Sequence, residues 1–89
     1  MPESPITICN RLGLHARAAA KLVDTANKFG SSVLIECNGK TADCSSIMQI
    51  MMLAATQGTN AILRAEGDDA QQAIDAITSL ADDRFGEEE

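Results

Sequence analysis

The sequence predicts an α+β domain with elements in the order β-α-β-β-α-β-α. Three observations predict it. Short β-branched or alternating runs at 5–9, 32–37 and 59–66 have the period of strands. Longer runs at 16–29 and 70–84 repeat their apolar residues at helical spacing. An Asn38-Gly39 pair, the strongest short hairpin signal, joins two of the strands. Short strands, tight turns and helices on one side make a sheet-and-helix layer. By pattern alone this could be a ferredoxin-like split unit.

The elements follow in order. Residues 1–4 read as a loose start. Pro5-Ile6-Thr7-Ile8-Cys9 is a strand, with Pro5 at its beginning. Asn10-Arg11-Leu12-Gly13 is a connecting loop. Asn10 serves either as a turn residue or as a partner to one nitrogen of His15, and the turn role is preferred. The first helix, 16–29, buries Ala16, Ala19, Ala20, Val23 and Ala26 and turns Arg17, Lys21, Asp24 and Lys28 to solvent, with Gly30 as C-cap. Val33, Ile35 and Cys37 share one face of the second strand, and a short third strand spans 40–43.

The run Ser46-Ile47-Met48-Gln49-Ile50-Met51-Met52-Leu53 is a short helix capped by Ser46 (or Ser45) and ending near Gln57-Gly58. It is apolar nearly all round, yet a short helix on a sheet buries one face. Some of Ile47, Met48, Gln49, Met51 and Met52 therefore face solvent, Ile47 and Met48 first among them. Exposed methionines suit an adaptable docking surface. After the strand 59–66, Gly67-Asp68-Asp69 turns the chain and caps the last helix, which buries Ala70, Ala73, Ile74, Ile77, Leu80 and Ala81. Phe85-Gly86 closes it, and 86–89 reads as a frayed acidic tail.

Composition narrows the function. Eighty-nine residues, 45% of them hydrophobic, make one small domain, 1–89, with a single core. No apolar run suits a membrane span and no signal pattern opens the chain, so a cytoplasmic protein without membrane insertion is expected. Cys9, Cys37 and Cys44 are odd in number and form no CxxC pair, and one histidine cannot complete a usual zinc set. No metal and no cofactor are expected. Cys9 and Cys37 read as buried strand residues and Cys44 as a loop thiol. The net charge of −6 is uneven: residues 1–65 carry six bases and four acids, and residues 66–89 carry nine acids and only Arg84. An acidic chain without Trp or Tyr is a poor nucleic-acid binder.

The one histidine stands in Leu12-Gly13-Leu14-His15-Ala16-Arg17, where loop gives way to helix. A helix N-terminus offers unpaired amides and a partial positive charge, and so binds anions. An imidazole titrates near neutral pH, and much of it is uncharged and nucleophilic in a cell. His15 could then attack a phosphoryl donor, while the amides of Ala16 and Arg17 and the Arg17 guanidinium hold the transferred group. Without a family to compare, a solvated surface histidine in a small ferredoxin-like or ACT-like binding module is the competing reading. A hydrolase is poorly served, since no nucleophile and orienting carboxylate stand beside the histidine.

Gly13-Leu14-His15-Ala16-Arg17, followed by small residues and Lys21-Leu22-Val23, resembles the active-site segment of the HPr family, the histidine-containing phosphocarriers of the bacterial phosphoenolpyruvate-dependent phosphotransferase system. The resemblance runs along nearly the whole chain. It implies an open-faced β-sandwich, a four-stranded antiparallel sheet covered on one face by three helices. It implies a carrier, not an enzyme, that takes phosphate from phospho-enzyme I on Nδ1 of His15 and passes it to IIA components. Ser46-Ile47-Met48 is similar to the family's regulatory-serine region, which implies phosphorylation of Ser46 by an HPr kinase/phosphorylase. Read by chemistry alone, Ser46 is a helix cap. Ile47, Met48 and Met51, with Lys21 as a minor contributor, are the expected docking residues. Ala18 departs from the family, which usually has proline there. Alanine is the best helix former, so the helix is expected to survive with a less constrained first turn.

Overall fold

The computed structural model describes residues 2–88. Its elements are β1 (Glu3–Thr7), α1 (Ala16–Ala26), β2 (Ser32–Cys37), β3 (Lys40–Asp43), α2 (Ile47–Met52), β4 (Asn60–Glu66), α3 (Ala70–Asp82) and a final 3-10 turn, Arg84–Gly86. The four strands form one antiparallel sheet in the order β1-β4-β2-β3, with the helices on one face. This is the open-faced sandwich, with β4 and β2 inside the sheet and β1 and β3 at its edges.

Alternation builds the sheet. Ile6, Val33, Ile35, Cys37, Ala42, Ala61, Leu63 and Ala65 are buried beneath the helices. The other face is open to solvent. There Arg64 bonds Glu3, directly opposite on β1, at 3.1 Å, and Glu36 on β2 at 2.7 Å. Asn38 and Gly39 both take positive φ, 53° and 75°, as a two-residue hairpin turn requires.

Several boundaries move. β1 begins at Glu3, so the loose start ends sooner than expected, and Pro5 sits within an edge strand, where its missing N–H is tolerated. All three helices stop earlier than periodicity implied. On α1 the buried residues are Ala18, Ala19, Leu22, Val23 and Ala26, while Ala16 and Ala20 are exposed. The stripe is therefore rotated from the expected one, and Ala18 is fully buried in the first turn. Gly30 is no left-handed cap. Its amide donates to Asp69 at 2.9 Å, and Ser31 Oγ donates to the same carboxylate. Asp69 thus clips the end of α1 to the start of α3 instead of capping α3 with its side chain. Cys44 lies in the loop between β3 and α2 as expected but is fully buried there, and burial and Asp43 push its pKa up to about 12, which disfavours the thiolate. Cys9 is only half-buried.

The chain end is the largest departure. Arg84 and Phe85 adopt left-handed φ of 55° and 54°, and the Phe85 ring is fully buried. Each left-handed residue costs roughly 1–2 kcal/mol, and burying the ring returns roughly 1.5–3 kcal/mol. The reversal turns the next residues back over α1. Gly86 closes the final 3-10 turn and Glu87 bonds Asn10 and His15, where the sequence suggested a frayed tail. Glu88 is exposed, and Glu89 lies outside the described residues.

Candidate functional site

The site begins with Gly13. Its φ is +69°, and a Cβ there would lie 2.3 Å from the Ala55 carbonyl oxygen, so only glycine fits without a shift. This close approach lets Leu14 N donate to Ala55 O at 2.9 Å. Leu14 is buried, and the adjacent His15 is turned outward with its side chain about a quarter exposed. Asn10 closes the loop. It is fully buried, and its Nδ2 donates to Gly13 O at 2.7 Å. Asn10 therefore plays the loop role and does not touch the imidazole.

His15 is the N-cap residue of α1. Its backbone is extended (φ −77°, ψ −179°), its carbonyl accepts from Ala19 N at 2.8 Å, and its side chain caps nothing. The amides of Ala16, Arg17 and Ala18 have no acceptor within the helix. Arg17 is exposed and lines an open cavity of about 380 Å³ with Arg11, Leu12, Gly86, Glu87 and Glu88. His15, Ala16 and Arg17 are thus contiguous at the start of α1, and Arg17 borders a space large enough for a tetrahedral anion.

One member of the site, Glu87, was not expected from the sequence. Glu87 Oε2 lies 2.5 Å from His15 Nε2, and Glu87 Oε1 accepts from Asn10 Nδ2 at 2.9 Å. The Asn10 bond, with those of His15 and the nearby Arg17 charge, holds the Glu87 carboxyl below the usual range. No local signal marks Glu87, because a terminal Glu-Glu-Glu run reads as solvated. Lys21 is also differently employed. It is half-buried, and its ammonium donates to Phe85 O at 2.7 Å.

The second motif sits on α2, which packs against α1. Ser46 is the N-cap of α2, and its Oγ accepts from Gln49 N at 3.3 Å. Ser45 is tied instead to the Asp43 carboxylate, through its amide at 2.9 Å and its hydroxyl at 2.8 Å. Only Ile50 of α2 is buried. Met48 and Met52 are 70% and 68% exposed, with Ile47 and Met51 at 40% each. The helix ends at Met52 because Ala54 turns left-handed (φ 53°), which delivers Ala55 to Leu14.

Comparison with known proteins decides the family. The model "PTS HPr component phosphorylation site" matches residues 2–83. The phosphocarrier protein HPr of Cupriavidus necator is 48% identical over 89 residues, all of both chains. The chain belongs to the HPr family. It is a phosphocarrier of the phosphotransferase system with a phosphohistidine site, and not itself a catalytic enzyme. The HPr crystal structure from Thermoanaerobacter tengcongensis superposes on it with a TM-score of 0.95 at 47% identity, covering both chains fully. The phosphocarrier protein NPr of Shewanella violacea is 42% identical over 85 residues, 96% of this chain and 93% of that one. No helix among the described residues is long and apolar enough to cross a membrane.

Proposed function

We propose that His15 is the phosphoryl acceptor, taking phosphate from phospho-enzyme I in the cytoplasm and passing it to a IIA component. One observation carries the reading. His15 is an N-cap residue whose ring caps nothing, and, two residues on, Arg17 borders an open cavity that Glu87, the partner of the ring, also lines. The phosphoryl group would rest on the amides of Ala16 and Arg17, with the Arg17 guanidinium neutralising charge as it moves between donor and acceptor. A phosphoramidate bond to the ring suits a transfer that must run both ways. Arg17 acts electrostatically, since a guanidinium does not give up its proton.

Ile47, Met48 and Met51 form the docking surface in this reading, supported by their exposure on a helix that buries only Ile50. Lys21 serves mainly to hold the chain end, and its charge adds long-range attraction for an acidic partner. Ser46 is the regulatory site, addressed by an HPr kinase/phosphorylase. A phosphate there sits at a helix N-terminus, where it is tolerated, and it places negative charge beside the docking residues. The test is 32P uptake from phosphoenolpyruvate and enzyme I. Wild type takes up acid-labile label and His15→Ala takes up none; label persisting in His15→Ala would refute the assignment. Chasing that label into sugar-specific and regulatory IIA proteins identifies the acceptor.

A further inference from the structure

Glu87 has no place in that reading, yet it grips the ring. Its carboxylate is held on both oxygens, one by Asn10 Nδ2 and one by His15 Nε2. Asn10 is fully buried and spends its other amide hydrogen on Gly13 O, so the loop that presents His15 also fixes this carboxylate. Behind Glu87 the chain is pinned by the buried Phe85 ring and by Lys21 Nζ on Phe85 O. The Glu87 side chain is only 10% exposed. Its depressed pKa, caused first by Asn10, keeps it ionised at neutral pH.

An ionised carboxylate only accepts hydrogen bonds. A neutral ring nitrogen facing one must therefore carry the hydrogen, and the opposite nitrogen must carry the lone pair. We propose that Glu87 is a positioning residue that fixes the Nε2–H tautomer of His15 and covers Nε2, so that phosphate is directed to Nδ1. The consequence for transfer rests on the carrier reading; the tautomer does not.

The step balances without a proton transfer. The Nδ1 lone pair forms the N–P bond as the donor's bond to phosphorus breaks and its electron pair leaves with the donor. Nε2 keeps its hydrogen, and the ring becomes a cation whose charge faces the Glu87 carboxylate. On onward transfer the Nδ1–P bond breaks, its pair returns to Nδ1, and the ring is neutral again. Glu87 thereby stabilises the protonated phosphoimidazole, the form from which the ring leaves readily.

The full-length protein, with its histidine 15N-labelled, tests this by NMR in wild type, Glu87→Gln and Glu87→Ala. The neutral wild-type ring should be the Nε2–H form. A hydrogen bond to a charged acceptor makes the preference roughly tenfold or more, so the Nδ1–H form should rise by about that factor in both variants. Phosphoramidate then serves as a donor small enough to reach either nitrogen without enzyme I; its N–P bond breaks and ammonia leaves. Wild type should be phosphorylated on Nδ1 alone, and Glu87→Ala should also yield the Nε2 product. Unchanged tautomer populations in both variants, with Nδ1 product alone, would overturn the inference. So would a lower melting temperature with no change in tautomer, which would make Glu87 merely structural. Failure of the carrier reading appears elsewhere, in wild-type uptake from phosphoenolpyruvate and enzyme I.

Discussion

Two helix N-termini in this chain carry the side chains proposed as phosphorylation sites, and they are built oppositely. At α1 the N-cap is His15, whose ring makes no capping bond, so the first amides stay open to a transient anion. At α2 the N-cap is Ser46, whose oxygen already accepts from Gln49 N. The α1 end is braced from three directions, by Ala55 on the loop, by Asn10 beneath it and by Glu87 on the ring. The α2 end has a short helix and an exposed apolar surface. On the proposed roles, a site for passing phosphate on leaves the helix amides vacant and fixes the acceptor from behind. A site for holding phosphate can let the modified group remain the cap.

Breaking the brace should have the largest effect. Gly13→Ala puts a methyl group 2.3 Å from Ala55 O at a φ of +69°. We expect a loss of about 2–4 kcal/mol in urea unfolding, from overpacking plus left-handed strain. A wild-type midpoint would mean that the Gly13–Ala55 approach does not hold the loop. Next comes Arg17→Ala, which removes the guanidinium from the α1 cavity. The initial rate of phosphorylation by enzyme I should fall on the order of tenfold to a hundredfold, with stability held within about 0.5 kcal/mol. An unchanged rate would leave the amides alone to hold the phosphoryl group.

The smallest effects lie at α2 and sharpen the contrast. Ser46→Ala should cost about 1 kcal/mol through its lost cap while His15 retains its intrinsic reactivity toward phosphoramidate. Ser46→Asp should keep the cap and slow transfer from enzyme I, more at low salt than at high salt. Equal slowing at both ionic strengths would argue against a charge effect on docking.

The contrast also marks what can be read from sequence. Strand alternation and Asn38-Gly39 are local, so the order of elements and the hairpin were legible. The position of His15, Ala16 and Arg17 at the start of α1 was legible because the residues are contiguous. The rotation of α1 was not, since five of its eleven residues are alanine, small enough to sit on either face. Helix ends were overrun because Ala54 and Phe85 adopt left-handed backbone that their residue types do not announce. Glu87 was hidden most completely. It meets His15 across 72 positions, through a reversal in which Arg84, Phe85 and Gly86 all take positive φ and the Phe85 ring is buried.

The central claim is that the open tip of α1 receives the phosphoryl group. The amide NMR signals of Ala16, Arg17 and Ala18, followed as the protein is phosphorylated by phosphoenolpyruvate and enzyme I, test it most directly. Large downfield shifts concentrated on these three amides, reversing when a IIA acceptor is added, are the predicted result. A protein that gains one phosphoryl group while these amides stay in place, with the shifts elsewhere, would contradict the account.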